Sequence, residues 1–278
     1  MVPNRLAQGL SLFLVAAGAA ACGGEAPAAS SGPLEIGAVT ENALSANALS
    51  ANALSANALS ANALSANALS ANALSANGLM SNAVLAASLM KGGVADPLAM
   101  QLMKYVVSCA LTPKQSVDLT LGGQAYHFPG GLGLAPQWGM PGGSCDGSCQ
   151  RWVSACLLAR IDAAGVEREI SVRGLHPALL PGRSELGTYT EREATYFGNV
   201  FIPGQPKFLC LPPGSASDQR VCGDSMGDCP MTMVGSCATD CLFQGPFGEY
   251  DLCSDSGKRL SGTTYFESIT VFLPKSAM

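Results

Sequence analysis

The chain has 278 residues, of which 48% are hydrophobic and 13% charged, with a formal net charge of −5. That length holds one ordinary domain plus extensions. Its fifteen Lys and Arg are scattered singly or in one pair, Lys258 and Arg259, so the basic stripe that a nucleic-acid binder needs to neutralise phosphates is missing and no nucleic-acid partner is expected.

The N-terminal stretch MVPNRLAQGLSLFLVAAGAAAC carries Arg5 and then an apolar run from Leu10 to Ala21. The run is too short to span a bilayer and has the shape of a secretory signal, residues 1–21. The AAAC before GGE resembles a bacterial lipobox, in which cleavage precedes a cysteine that becomes lipid-modified. The family pattern prefers Leu three residues before the cysteine, where this chain has Ala19. The alternative is an ordinary signal peptide cut at an A-x-A site, which leaves Cys22 free. Setting Cys22 aside from the eleven cysteines leaves an even set that can pair completely, which favours lipidation at Cys22. Palmitate or another acyl chain there would attach the protein to a membrane without spanning it.

Residues 22–41 are rich in Gly, Ala, Pro and Ser, the composition of a flexible linker. A pentad, NALSA, then repeats without change from Asn42 to Ala76 and decays through NGLMS and NAVLA to Ala86. Five helical residues advance about 140° beyond a full turn, so the leucines spiral round a helix instead of forming one stripe. A strand fits worse, because an odd period sends successive leucines to opposite faces. The repeat loosely resembles pentapeptide-repeat solenoids, but Asn stands two residues before Leu instead of one. Residues 42–90 are therefore read as a helical or fluctuating spacer, with a short β-solenoid as the alternative. A helix of that repeat would reach about 68 Å, enough to hold a domain clear of its anchor.

The globular part begins near Lys91. ADPLAMQLMKYVVSCAL reads as a helix with Asp96 as N-cap and Pro97 at its first position, stopping before Pro113. SVDLTLGGQAYHF reads as a hairpin turning at Gly122-Gly123, with Val117 opposite Phe128, Leu119 opposite Tyr126 and Asp118 opposite His127. GSCQRWVSACLLARIDAAG reads as a second helix, from Asp146 or Ser148 to about Gly165, with Trp152, Val153, Cys156, Leu157 and Ile161 as its buried stripe. Strand-like pieces follow: REISVRG, ATYFGNVFI, KFLCL and SITVFLP. Helices mixed with short antiparallel strands, without βαβ alternation, predict an α+β domain. It divides into a core at 91–206 and a cysteine-rich acidic lobe with a C-terminal strand at 207–278.

The ten cysteines after Cys22 are Cys109, Cys145, Cys149, Cys156, Cys210, Cys222, Cys229, Cys237, Cys241 and Cys253. Export and the even count favour disulfides of open pairing. Seven helical residues separate Cys149 from Cys156 by about 10.5 Å, too far for a mutual bond, so each should tie the helix to a different partner, the first helix or the distal lobe. CDGSC and CATDC have metal-like spacing, but with only two histidines in an exported chain no metal and no cofactor are expected.

Catalytic motifs are weak. VCGDSMGDCP resembles the loop around a trypsin-like serine, yet Met226 and Asp228 replace its glycines, so Ser225 is not expected to be a nucleophile. Asp224 and Asp228 lack a calcium-loop pattern and read as solvated acids. His127 reads as the partner of Asp118. Tyr126, Phe128, Trp138 and Trp152 are the aromatics for a sugar-stacking surface; Trp152 falls on the buried stripe, leaving Trp138 and Tyr126 as the possible ligand surface.

YVVSCALTPKQSV, HFPGGLGLAPQW, CQRWVSACLLARIDAAG and EREATYFGNVF together resemble segments of cysteine-rich exported proteins common in myxobacteria, over roughly residues 104–202. The resemblance implies a disulfide-bonded surface or periplasmic domain and names no catalytic residue. The expectation is an outer-membrane lipoprotein whose domain binds an envelope glycan or a surface protein and has no enzymatic activity. The alternatives are an extracellular hydrolase with an unrecognised site, a structural envelope component, or a secreted or periplasmic location.

Overall fold

The structure, a computed structural model, describes residues 89–162, 169–215, 219–222 and 229–275. The expected signal segment, Cys22, the pentad repeat, Asp224, Ser225 and Asp228 lie outside the described residues.

Strands β1 (Met90–Lys91) and β2 (Val94–Ala95) form a short ladder that leads into helix α1 (Pro97–Ala110). The helix starts where its sequence directs: the Asp96 carbonyl accepts the Met100 N–H at 2.9 Å, and Pro97 has no N–H to leave orphaned. Strands β3 (Ser116–Leu121) and β4 (Gln124–Pro129) pair in the expected register, Val117 with Phe128 and Leu119 with Tyr126. Gly122 and Gly123, with φ of 57° and 84°, supply the left-handed pair that a two-residue turn requires. Alternation does the rest, burying Val117, Leu119, Leu121 and Phe128 and leaving Asp118 and His127 outside, joined at 2.6 Å.

Helix α2 (Gly147–Ala159) is capped by Asp146, whose carboxylate accepts the Cys149 N–H at 2.9 Å. It ends well before Gly165, the stop read from sequence. The Arg220 guanidinium donates to the carbonyls of Ala159 (3.0 Å) and Ile161 (2.5 Å), and so satisfies the C-terminal acceptors that another helical turn would have used.

After α2 come strand β5 (Ser171–Arg173), helix α3 (Arg183–Thr188), and strands β6 (Tyr189–Gly198) and β7 (Lys207–Leu211). Helix α4 (Gln219–Cys222), strand β8 (Thr232–Ser236) and helix α5 (Cys237–Asp240) follow. Strands β9 (Cys241–Gln244), β10 (Tyr250–Ser254), β11 (Thr264–Tyr265) and β12 (Ile269–Pro274) complete the described chain.

The main sheet has the order β5-β12-β6-β7-β8, and a smaller one the order β11-β10-β9. Strands on both sides of the expected 206/207 boundary thus share one sheet. The C-terminal strand is internal to it, held between β5 and β6. All pairings in it are antiparallel except β7 with β8, a parallel pair that the sequence did not suggest.

Helix α2 packs against β6 and β12 and also against α1, which in turn contacts β4. Covered on two sides, α2 buries Cys149 and every residue from Val153 to Ala159, far more than one stripe. The result is an α+β domain with a contiguous apolar core, stapled by disulfides.

Five bridges join all ten cysteines after Cys22: Cys109–Cys156, Cys145–Cys149, Cys210–Cys237, Cys222–Cys229 and Cys241–Cys253. Cys109–Cys156 ties α1 to α2. Cys149 does not tie the helix to the distal region as expected; it closes a local loop with Cys145 at the start of α2. The Asp146 cap turns the chain there and leaves Cys145 beside the first helical turn. Five bridges in one domain point to an oxidising compartment, extracellular or in the envelope. No helix among the described residues is long and apolar enough to cross a membrane.

Candidate binding cleft

The segment GGLGLAPQW leaves β4 and turns back over the end of α1. Its N–H groups serve the carbonyls that α1 leaves without helical partners: Gly131 donates to Leu111, Leu132 to Ser108, Leu134 to Cys109 and Ala135 to Ala110, at 2.7–3.1 Å. This approach explains the glycines. A Cβ on Gly130 would stand 2.1 Å from the Thr112 carbonyl oxygen, and one on Gly131 2.7 Å from that of Ser108. Pinned to α1, the loop continues into a 3-10 turn, Pro136–Gly139, that drives Trp138 inward. Trp138 is fully buried, edge-on to Phe201 at 6.0 Å. The expectation that Trp138 is an exposed ligand platform is therefore corrected. Tyr126 is half-buried and packs on the core through the hairpin face it shares with Leu119.

Trp152, read as core, is half-buried: it packs on the core and keeps part of its ring outside. It lines a cleft of about 410 Å³ with Gly133, Leu134, Pro136 and Gln137 of the capping loop, Asp146, Ser148 and Cys149 of α2, and His176 and Pro177 beyond β5. Its ring meets His176 edge-to-face at 5.0 Å. Gly174 lets this corner close, since a Cβ there would stand 2.6 Å from the Ser268 carbonyl oxygen and 3.5 Å from the Trp152 ring. Next to Trp152, Arg151 forms a two-pronged ion pair with Glu267 at 2.6 and 3.0 Å, locking α2 to the segment before β12.

Sequence reasoning missed one combination. The cleft brings Ser148, His176 and Asp146 together, the residue types of a serine hydrolase. Their hydrogen bonds go elsewhere. His176 Nδ1 accepts the Ala178 N–H at 3.1 Å as the cap of a short turn, and the ring also bonds the Leu134 backbone. Burial pulls the His176 pKa below the ordinary histidine value, with the Leu134 bond acting in the opposite sense. Asp146 is spent on the α2 cap. No hydrogen bond among the described residues joins Ser148, His176 and Asp146, so neither the base nor its orienting partner is in place.

A second cavity of about 400 Å³ lies between α1 and β4, lined by Pro97, Met100, Gln101, Lys104, His127, Phe128 and Pro129. Its one phenyl ring, Phe128, is buried and offers little face to a ligand. His127 is already joined to Asp118, and both are largely exposed.

No known family model, curated protein or solved structure matches the chain. The likeness to cysteine-rich exported proteins rests on the segments quoted above alone.

Proposed function

We propose that this protein is a non-catalytic binding module of the cell envelope, taking a small polar ligand of the glycan class in the Trp152–His176 cleft. The observation that carries this reading is the cleft's composition. An aromatic face stands beside an amide (Gln137) and a hydroxyl (Ser148), while Asp146 caps α2 and the Nδ1 of its one histidine caps the turn after β5. Aromatic faces stack on the apolar faces of sugar rings, and convergent polar groups fix orientation. The volume is at the small end of the range for ligand sites, about 300–1,000 Å³, which suits a short glycan end.

Attachment completes the proposal: an acyl chain on Cys22, the pentad spacer, and the domain held away from an outer membrane. The five disulfides and the signal-like N-terminus support export. Intact mass of the protein from its native membrane tests the anchor. Acyl mass on Cys22 is expected, and an unmodified thiol there would overturn it.

One observation favours a second reading, a hydrolase, namely Ser148, His176 and Asp146 in the same cleft. A fluorophosphonate probe separates the two. The binding reading expects no labelling of Ser148. Covalent labelling of Ser148 that disappears in His176→Ala would establish the hydrolase.

A further inference from the structure

Two of the disulfides lie against one another. Cys210–Cys237 and Cys241–Cys253 touch through the Cys210 and Cys241 sulfurs, 3.6 Å apart. The sulfurs of Cys210, Cys241 and Cys253 all fall within 4.8 Å of one another, and Cys237 is bonded to the first. We propose that these four cysteines are also a metal site in the reduced protein: a closed four-thiolate centre for one thiophilic divalent ion, zinc by preference.

The backbone supplies the ligands in a suitable arrangement. Cys241 and Cys253 are cross-strand partners on β9 and β10, so both side chains project from one face. Cys237 and Cys241 bracket the single turn of α5, a C-x3-C spacing within the range of structural zinc sites. Cys210 arrives from β7 in the main sheet. Zinc holds thiolates at about 2.3 Å, which sets tetrahedral sulfurs about 3.8 Å apart. The non-bonded Cys210–Cys241 pair already stands near that spacing, so conversion requires opening the two bonded pairs. All four cysteines are buried to 2% exposure or less, among Phe197, Tyr250 and Tyr265. That shell leaves no open coordination position, which makes the site structural and not catalytic. The other three bridges bring no third sulfur together among the described residues.

The conversion balances. A dithiol reductant gives two electrons and two protons to each disulfide and is itself oxidised to a disulfide. The four thiols then release four protons as one divalent ion binds. Reoxidation reverses both steps and expels the metal. The centre is thus the reduced counterpart of two bridges that link β7, α5, β9 and β10, and either form ties the same elements.

The test uses the full chain with Cys22→Ser, reduced anaerobically and titrated with Co²⁺ alone. One cobalt per chain with the spectrum of a tetrahedral thiolate complex is expected, displaced by equimolar Zn²⁺ and released in step with thiol loss on reoxidation. Cys210→Ser and Cys253→Ser should each abolish that spectrum, while the Cys145→Ser/Cys149→Ser double variant keeps it. Absence of a stoichiometric tetrahedral cobalt spectrum in the reduced parent chain, whether or not the chain stays folded, overturns the proposal. So does a spectrum that survives Cys210→Ser.

Discussion

Removing the Cys109–Cys156 bridge should destabilise the domain more than any other single disulfide deletion. The bridge crosses the α1–α2 interface and closes a loop with a sequence separation of 47. Chain entropy for such a loop is worth about 4 kcal/mol at 25 °C, and the same relation gives about 2 kcal/mol for Cys145–Cys149, whose separation is 4. Cys109 and Cys156 are fully buried, so Cys→Ala at both also leaves unfilled space in the core. Domains are stable by about 5–15 kcal/mol, so the first deletion removes a large share and the second a modest one. Urea unfolding, followed by the fluorescence of Trp138 and Trp152, reads both. The Cys109→Ala/Cys156→Ala midpoint should fall further than that of Cys145→Ala/Cys149→Ala, by the equivalent of about 2 kcal/mol or more. Equal midpoints, or a larger loss from the local bridge, would refute the assignment of α1–α2 as the principal stapled interface.

Three further outcomes follow from charged groups, two of them buried. Arg220→Ala should cost about 3–5 kcal/mol, because it strands buried Glu193 and uncaps α2, while Arg220→Met with Glu193→Gln should recover much of the loss in thermal unfolding. Asp251 is held up at about 6, chiefly by burial, against hydrogen bonds from the Leu252 N–H and the Ser268 hydroxyl. The folded carboxyl therefore binds its proton more tightly than the unfolded one. Its contribution to stability falls as pH rises from 3.8 to about 6 and is level above, a slope that Asp251→Asn should remove from a pH series of unfolding midpoints. Asp118→Ala breaks only an exposed pair and should shift stability by less than about 0.5 kcal/mol in the same assay.

Local chemistry was readable from the sequence wherever near neighbours decide the outcome. The hairpin register follows from alternation and the Gly122-Gly123 turn, and α1 from Pro97 at its first position. Asp146 likewise announces the start of α2. Its end was not legible, because the group that caps it, Arg220, comes from a distant segment. The same holds for the insertion of β12 between β5 and β6, and for the parallel β7–β8 pair. Trp138 is the instructive failure, since a Gly-Pro loop assigns it to solvent and the structure buries it. That loop, however, is fastened to the end of α1 by five hydrogen bonds between residues 131–135 and 108–111. Its glycines signal close backbone approach, the one local clue that it is not a free surface loop. His176 carries no such clue, since its place beside Trp152 depends on where β5 ends.

Retention of the full-length protein on envelope polysaccharide, compared across the parent, Trp152→Ala and Trp138→Ala, tests the binding proposal most directly. Trp138→Ala empties a core position and should cost about 3–5 kcal/mol of stability, whereas Trp152→Ala, at a partly buried position, should cost less and leave the domain folded. Loss of retention in folded Trp152→Ala is the predicted result. Retention that Trp152→Ala leaves intact would contradict the assignment of the cleft as the binding site.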